Sequence, residues 1–301
     1  MMWVAFAGII AVMFVLDLFV FNRKSHEIKF REALSWTLVW VGLALAFNLG
    51  VWYFMGPAKA LEFFTGYIIE ESLSVDNLFV FIMIFSYFHV SRAQQPKILK
   101  WGIIGALVMR GIFIVVGIEL IERFHWMVYI FGAVLIYTGF KMAFGGDEEV
   151  HPENNPLVKL VRRFMPITRR TYGDHFFIKR RGIWAATPLF LTLVVVESSD
   201  VIFAVDSIPA VLAVTHAPFI VYSSNVFAIM GLRSLYYLLA HVMEMFSYLK
   251  LGVSVILAFV GAKMLLVDLV EIPLLLSLGV IVGTLTISIL TSVLLAKKPH
   301  R

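Results

Sequence analysis

The sequence contains no cysteine and few charged residues. Of its 301 residues, only 15% are charged, while 60% are hydrophobic. Without a thiol, the chain can form no disulfide, supply no thiolate to a metal and perform no thiol-based redox reaction by itself. A mean hydropathy of +0.90 leaves too few charged side chains to cover the surface of a soluble globule. The composition therefore indicates an integral membrane protein.

Predominantly apolar runs of about twenty residues, the length that crosses a bilayer, follow one another along the chain. In lipid their backbone groups must be paired within the segment, which favours helices. The predicted fold class is an all-α polytopic membrane protein with nine transmembrane helices, approximately at 3–21, 34–54, 63–87, 101–121, 125–144, 184–207, 219–241, 248–268 and 273–296.

The positive charge is distributed unevenly between the two predicted sides of the membrane. If the segment after the first run is cytoplasmic and the sides then alternate, nineteen of the 25 Lys and Arg residues fall on the cytoplasmic side. This asymmetry follows the positive-inside rule and predicts an amino terminus outside and a carboxyl terminus inside. We interpret the net charge of +5 as topology, and we expect no nucleic-acid partner.

The two sides of a long polar connection at 145–183 carry related sequence. SVDNLFVF matches SSDVIFAV, GALVMRGIF matches FAIMGLRSLY, and IYTGFKMAF matches FVGAKMLLV, in the same order and at nearly equal spacing. Each copy holds three predicted helices, so the copies should be inverted, as in alternating-access transporters. The predicted organisation is one transmembrane domain, 1–301, divided into flanking helices 1–62, repeat 63–144, linker 145–183, repeat 184–268 and a last helix with its tail, 269–301.

Two of the apolar runs contain several carboxylates far from their ends. In GYIIEESLSVDNLFVF, Glu70, Ser74 and Asn77 share one helix face, and Ser72 and Asp76 share another. In LVVVESSDVIFAVDSIPAV, Glu197 and Asp200 point the same way and Asp206 lies on a different face, unless Pro209 and the preceding serines break or re-aim the helix.

A carboxylate at the bilayer centre costs about 3 kcal/mol on insertion scales, so these acids require protonation, a basic partner or a cation. The deep set holds six acids against three bases, which favours a cation or proton pathway over a purely structural ion-pair network. Oxygen donors without Cys or His suit hard divalent ions such as Mn²⁺, Mg²⁺ and Ca²⁺. The deep acids are Glu70, Glu71, Asp76, Glu197, Asp200 and Asp206, and the bases are Arg110, Arg233 and Lys263.

The acidic motifs, with SNVFAIMGLRSLYYLL and FVGAKMLLVD, resemble the TerC family of bacterial membrane proteins, particularly its Alx-type branch. The resemblance covers almost the whole chain. It implies the LysE transporter superfamily, the bacterial inner (plasma) membrane, Mn²⁺ export, alkaline conditions and tellurite resistance, and the branch also carries a redox-modulator label. Carried over by position, it implies a metal path formed by Glu71, Asp76, Asn77, Glu197, Asp200 and Asp206. The polar residues around the acidic motifs and in the repeat predict a supporting set: Glu70, Ser74, Arg110, Asn225, Arg233 and Lys263.

The resulting hypothesis is a secondary transporter that works by alternating access and exports Mn²⁺, the cargo that the resemblance implies, in exchange for protons. We expect no permanently bound cofactor and no enzymatic activity, because the sequence offers no nucleophile–base arrangement or cofactor motif. Two alternatives stay open at this point. One is a non-transporting scaffold whose basic linker, 145–183, docks a protein, and the other is an exporter of a small organic solute. Within that linker, LVKLVRRFM favours a short amphipathic helix on the inner leaflet or an ordered cytoplasmic connection.

Overall fold

The computed structural model describes residues 2–15, 29–124, 126–144, 156–168, 171–180, 182–242, 248–270 and 272–295, and of Asp76 and Asp206 it describes the backbone but not the side chain. The described part of the chain forms ten helices and one two-stranded hairpin. The helices are α1 Met2–Val15, α2 Phe30–Met55, α3 Pro57–Tyr87, α4 Gln95–Arg123, α5 Met127–Phe144, α6 Pro156–Phe164, α7 Pro188–Leu212, α8 Pro218–Val242, α9 Leu249–Leu265 and α10 Leu274–Leu295, and the antiparallel strands are β1 Phe177–Arg180 and β2 Ile183–Ala186.

Each of the nine apolar runs overlaps one helix of at least 14 residues, and the predominantly helical described chain agrees with an all-α membrane protein. Among the described residues, five helices are long and apolar enough to cross a bilayer: α2, α4, α5, α7 and α10. Helix α9, with 17 residues, is shorter than the roughly 20 residues that usually span, and α1 is described over 14 residues, up to where the described range ends. Helix α3 has 31 residues, enough to cross a bilayer, but Glu70, Glu71 and Asp76 interrupt its apolar sequence. The number of spans and their orientation stay predictions.

Three predicted helix starts were wrong, and a proline lies at or next to each observed start. Helix α4 begins at Gln95, followed by Pro96, rather than near residue 101. Helix α3 begins at Pro57 rather than near residue 63, because Gly56, with φ +89°, turns the chain between α2 and α3. Proline is favoured in the first turn of a helix, where its missing N–H needs no partner. The sixth run does not begin as a helix at 184, because Ile183–Ala186 pairs as strand β2, and α7 starts at Pro188.

Neither acidic helix is broken. Helix α3 continues through 31 residues and α7 through 25, so the break considered near Pro209 does not occur. Pro209 lies in the last turn of α7, and its carbonyl accepts a hydrogen bond from the N–H of Ala213 at 2.9 Å. Pro209 has no N–H to donate to the carbonyl of Val205, so one hydrogen bond of the ladder is lost although the helix continues to Leu212.

The main helix contacts join α3 to α8, α4 to α7 and α5 to α9, while α2 packs on α8 and α3, and α10 packs on α9. Helices α5 and α9 are in backbone contact at two places. The carbonyl of Gly132 lies against Gly261, and Gly139 lies against the carbonyl of Ser254. Small residues allow such close packing in lipid, where apolar burial contributes little to helix association.

Helices α3 and α7 run in opposite directions. Thr215, just after the end of α7, donates a hydrogen bond to Glu62 in the second turn of α3. At the other end, Phe85 near the end of α3 and Leu189 at the start of α7 belong to one apolar cluster. The two acidic helices therefore lie side by side with opposite polarity.

The linker between the two predicted repeats folds onto the helix ends. The predicted short helix forms as α6, and its Val158 is buried in the cluster that contains Leu189. The turn before β1 contacts the start of α4, where the side-chain amide of Gln94 donates to the carbonyl of Gly173 at 2.7 Å. Thr187, immediately before α7, donates to the carbonyl of His175 at 2.7 Å. The connection is therefore docked on the helices.

Candidate functional site

Arg110, in the middle of α4, is the centre of a buried polar cluster. Its guanidinium is only 3% exposed and forms an ion pair with Glu70 of α3. Arg110 Nη1 donates to Asn225 Oδ1 of α8 at 2.9 Å, and Nη2 lies 3.5 Å from Asp200 Oδ1 of α7. One side chain thus joins four helices, two from each predicted repeat.

The cluster contains more acid than base. A buried ion pair is expensive to desolvate, and it persists only when partners with good geometry replace the lost water. Arg110 supplies one positive charge to two carboxylates, Glu70 and Asp200. Each carboxylate also retains one buried oxygen, Glu70 Oε2 and Asp200 Oδ2, without a hydrogen bond among the described residues. A bound cation or a proton would balance the remaining negative charge of the two carboxylates.

A small cavity lies beside this cluster. Its charged lining consists of Glu197 and Asp200 from α7 and Arg233 from α8, and its remaining walls are apolar or glycine: Phe81, Leu99, Gly102, Ile103, Ala106, Val196 and Leu232. Asp200 therefore has one oxygen held by Arg110 and lies in the wall of this small cavity. Such an arrangement orients a carboxylate without using all of its lone pairs.

Gly105 of α4 makes room for the second carboxylate of the cavity. A Cβ atom at this position would overlap the carboxylate of Glu197, which approaches the α4 backbone directly. Glu197 and Asp200 are three residues apart on α7, so they lie on the same face of the helix. Their carboxylates form an acidic pair at the α4–α7 contact.

Glu71 lies in a different environment from Glu70, although the two residues are adjacent. The hydroxyl of Tyr67, one turn earlier on α3, is hydrogen-bonded to the Glu71 carboxylate. A Cβ atom added to Gly231 of α8 would lie 3.4 Å from Glu71 Oε1. Glu71 therefore faces α8, and a glycine again leaves room for a carboxylate from the other repeat.

Of the other residues predicted for the site, some lie beside the Arg110 cluster and others do not. Ser74 and Asn77 are buried on α3 along with Glu70, as expected for residues of one face. Lys263 does not join the Arg110 cluster, because its amino group donates to Ser277 Oγ of α10 at 3.0 Å. The side chains of Asp76 and Asp206 lie outside the described part of the structure.

The described side chains do not by themselves form a metal site. No group of three Asp, Glu, His or Cys residues that could hold a metal ion is found among them. Glu197 and Asp200 are a pair, and oxygen ligands of this kind suit hard divalent cations. Sequence reasoning missed Tyr67, Gly105 and Gly231. Tyr67 could have been found from its i, i+4 spacing to Glu71, but the sequence shows no signal for which glycines face carboxylates.

Comparison with known proteins agrees with the resemblance seen in the motifs. The chain matches the Integral membrane protein TerC family over residues 55–300. It is 49% identical over 293 residues to an uncharacterized membrane protein of Myxococcus xanthus, with 97% of this chain and 92% of that protein covered. It is 48% identical over 297 residues to an Escherichia coli K12 protein provisionally named membrane-bound redox modulator Alx, with 96% and 92% covered.

A more distant relative, an uncharacterized membrane protein of Rickettsia bellii, is 37% identical over 294 residues and is covered over 97% of its length. No solved structure matches the chain. The family match, the near full-length relatives and the apolar helices lead to one conclusion. The chain is a multi-pass integral membrane protein of the TerC family.

Proposed function

We propose that this protein is a secondary transporter that exports a divalent metal ion, Mn²⁺ in the first instance, in exchange for protons. The observation that carries the proposal is the environment of Asp200. This buried carboxylate is held by Arg110 through one oxygen, has no hydrogen bond at the other, and borders a cavity together with Glu197. A pair of carboxylates inside a membrane protein, one of them held by an arginine, is an expected feature of a cation path.

The choice of cargo rests on ligand chemistry and on the family resemblance. Carboxylate and amide oxygens from Glu197, Asp200 and Asn77 favour a hard divalent ion over Zn²⁺ or Cu⁺, which would usually recruit His or Cys. Asp76 and Asp206 remain predicted further ligands. Mn²⁺ is the ion that the resemblance to the Alx-type branch favours.

Proton exchange follows from the burial of the ligands. A carboxylate must lose its proton to bind a metal, so metal binding releases protons. When the metal leaves, desolvation favours the neutral form of the carboxylate, and a proton returns. Arg110 would hold Glu70 and Asp200 in both states, because its charge compensates part of the negative charge while the site is empty.

Alternating access is supported by how the helices are paired. The acidic helices α3 and α7 are antiparallel, and each packs on the second helix of the other predicted repeat, α8 or α4. Two inverted units that meet around a central site can rock against each other and open the site to one side at a time. In the bacterial inner membrane, the inward proton gradient would then drive metal outward.

The redox part of the relatives' name does not describe a thiol reaction of this chain. With no cysteine, the chain cannot exchange thiol and disulfide. A transporter could still alter the redox state of a cell indirectly, through the ion that it moves. The transporter proposal is therefore compatible with that name.

The test is the Mn²⁺ content and Mn²⁺ tolerance of a manganese-sensitive bacterial strain that expresses the protein. The wild-type protein should lower cellular Mn²⁺ and restore growth, whereas Asp200→Asn and Asp76→Asn should do neither at equal membrane abundance. Glu119→Gln is the matched control, because Glu119 is exposed at the end of α4 and pairs with Arg123. Full tolerance with either Asn variant would overturn the assignment of that residue to the metal path.

A further inference from the structure

Helix α6 has an apolar face that the rest of the protein covers only in part. In its sequence PLVKLVRRF, five apolar side chains fall on one side of the helix and the basic side chains on the other. Val158 and Val161, along one edge of the apolar side, pack into the cluster shared with α7. Along the other edge Leu160 is 49% exposed and Phe164 is 78% exposed.

The position of α6 is fixed by its neighbours. Val158 shares an apolar cluster with Leu189 in the first turn of α7 and with Phe85 in the last turn of α3. Helix α7 is apolar and long enough to cross a membrane from this turn onward. The exposed edge of α6 therefore lies at the level where the spanning helix α7 begins, which is the depth of the lipid headgroups.

The charge of α6 indicates which kind of surface the helix binds. Lys159, Arg162 and Arg163 are all exposed on the side opposite the apolar face. A helix with apolar residues on one side and Lys and Arg on the other is typical of helices that lie in the plane of an anionic leaflet. The nearby hairpin adds an exposed Trp184, a residue type enriched at membrane interfaces.

We propose that α6 is an interfacial anchor that binds the anionic lipids of the leaflet next to it. Leu160 and Phe164 enter the boundary between headgroups and acyl chains, and the three basic side chains contact lipid phosphates and other acidic headgroups. The anchor holds the connection between the two predicted repeats on the membrane surface. It makes the packing of this connection against α7 dependent on the lipid composition.

The absence of native cysteine provides a direct test on the full-length protein. Leu160→Cys can be labelled with an environment-sensitive fluorophore, and Thr171→Cys, an exposed linker position outside α6, is the matched control. Both proteins are reconstituted into phosphatidylcholine vesicles, with and without one-fifth phosphatidylglycerol. Emission and quenching by spin-labelled lipid are then measured. Only variants that elute as a single species and retain the wild-type helical signal are compared.

In vesicles that contain phosphatidylglycerol, the label at 160 should emit at shorter wavelength and be quenched by spin-labelled lipid, unlike the label at 171. Replacing Lys159, Arg162 and Arg163 with Gln should lower the ratio of inserted to water-exposed label by about fivefold for each charge removed, and added salt should have the same direction of effect.

Three results would overturn the proposal. Equal water exposure of the labels at 160 and 171 would show that α6 does not touch lipid. Quenching that is independent of lipid charge and of the basic residues would show that anionic lipid is not the partner. Shielding that increases with protein density, without quenching by lipid, would assign the exposed edge to a second copy of the chain.

Discussion

Gly261 of α9 lies against the backbone of Gly132 of α5, so closely that a Cβ atom on Gly261 would be 2.6 Å from the Gly132 carbonyl oxygen. A second contact of this kind joins Gly139 of α5 to the carbonyl of Ser254 in α9. The same displacement of 122 positions separates Gly132 from Ser254 and Gly139 from Gly261. It also separates Lys141 from Lys263. Shifting residue numbers by 122 therefore converts the Gly132–Gly261 contact into the Ser254–Gly139 contact, which is what the predicted inverted repeat would produce.

Substitution of Gly261 tests whether this close approach stabilises the helix bundle. Gly261→Ala places a methyl group against backbone that cannot move aside without separating the helices, so we expect a loss of about 1–3 kcal/mol. Gly279→Ala in α10 is the matched control, since its Cβ would have nothing within 4 Å. It should leave stability unchanged or raise it by up to about 1 kcal/mol, because alanine favours the helix.

Both glycine variants can be compared by unfolding in mixed micelles of dodecyl maltoside and sodium dodecyl sulfate. Equal stability of the two would mean that the α5–α9 contact is looser than the structure shows.

Removal of Arg110 should be far more damaging than removal of an exposed arginine. Arg110→Gln leaves Glu70 and Asp200 buried without a positive partner, and breaking a buried pair typically costs about 3–5 kcal/mol. Arg123→Gln, in the exposed pair with Glu119 at the end of the same helix, should cost less than about 1 kcal/mol.

Thermal unfolding of the detergent-solubilised variants, followed by size-exclusion chromatography, provides the comparison. Neutralising the partners together with Arg110, in the triple variant Glu70→Gln/Arg110→Gln/Asp200→Asn, should recover part of the loss. Equal stability of Arg110→Gln and Arg123→Gln would show that Arg110 does not stabilise the buried carboxylates of Glu70 and Asp200.

Gly105 should influence metal binding through Glu197. Gly105→Ala would displace the Glu197 carboxylate, so we expect weaker Mn²⁺ binding than in the wild type, with the affinity lowered about tenfold or less. If Gly105 acts only by making room for Glu197, the double variant Gly105→Ala/Glu197→Gln should bind like Glu197→Gln alone. Titration of the purified protein with Mn²⁺ measures the four affinities. Additive losses in the double variant would contradict this coupling.

The class of fold and the identity of the acidic helices could be predicted from the sequence, but the side chains that surround the acids could not. Length and apolarity predict each long helix, and the charge of α3 and α7 predicts where polar chemistry lies. The assembly of Arg110 with Glu70, Asn225 and Asp200 could not be predicted in detail, because helical periodicity gives a residue's face but not the neighbouring helix. For the same reason, Lys263 was expected near the site but contacts α10.

Mn²⁺ binding should weaken as the pH falls. Because each carboxylate ligand must be deprotonated, protons compete with the metal, and the apparent affinity should decrease by up to about tenfold per pH unit for each proton released. Calorimetric titrations in buffers of different ionisation enthalpy would count those protons. Asp200→Asn should release fewer protons than Glu119→Gln, which serves as the exposed control. An affinity that does not change with pH would exclude these carboxylates as proton-exchanging ligands.

The central claim is tested most directly by metal flux in proteoliposomes that contain the purified full-length protein, a divalent-sensitive dye and a pH dye. The account predicts Mn²⁺ movement accompanied by proton movement in the opposite direction. Both should be lost with Asp200→Asn and retained with Glu119→Gln. Absence of divalent movement under any ion or proton gradient, with correctly folded protein, would contradict the account and leave the buried acids with a structural role.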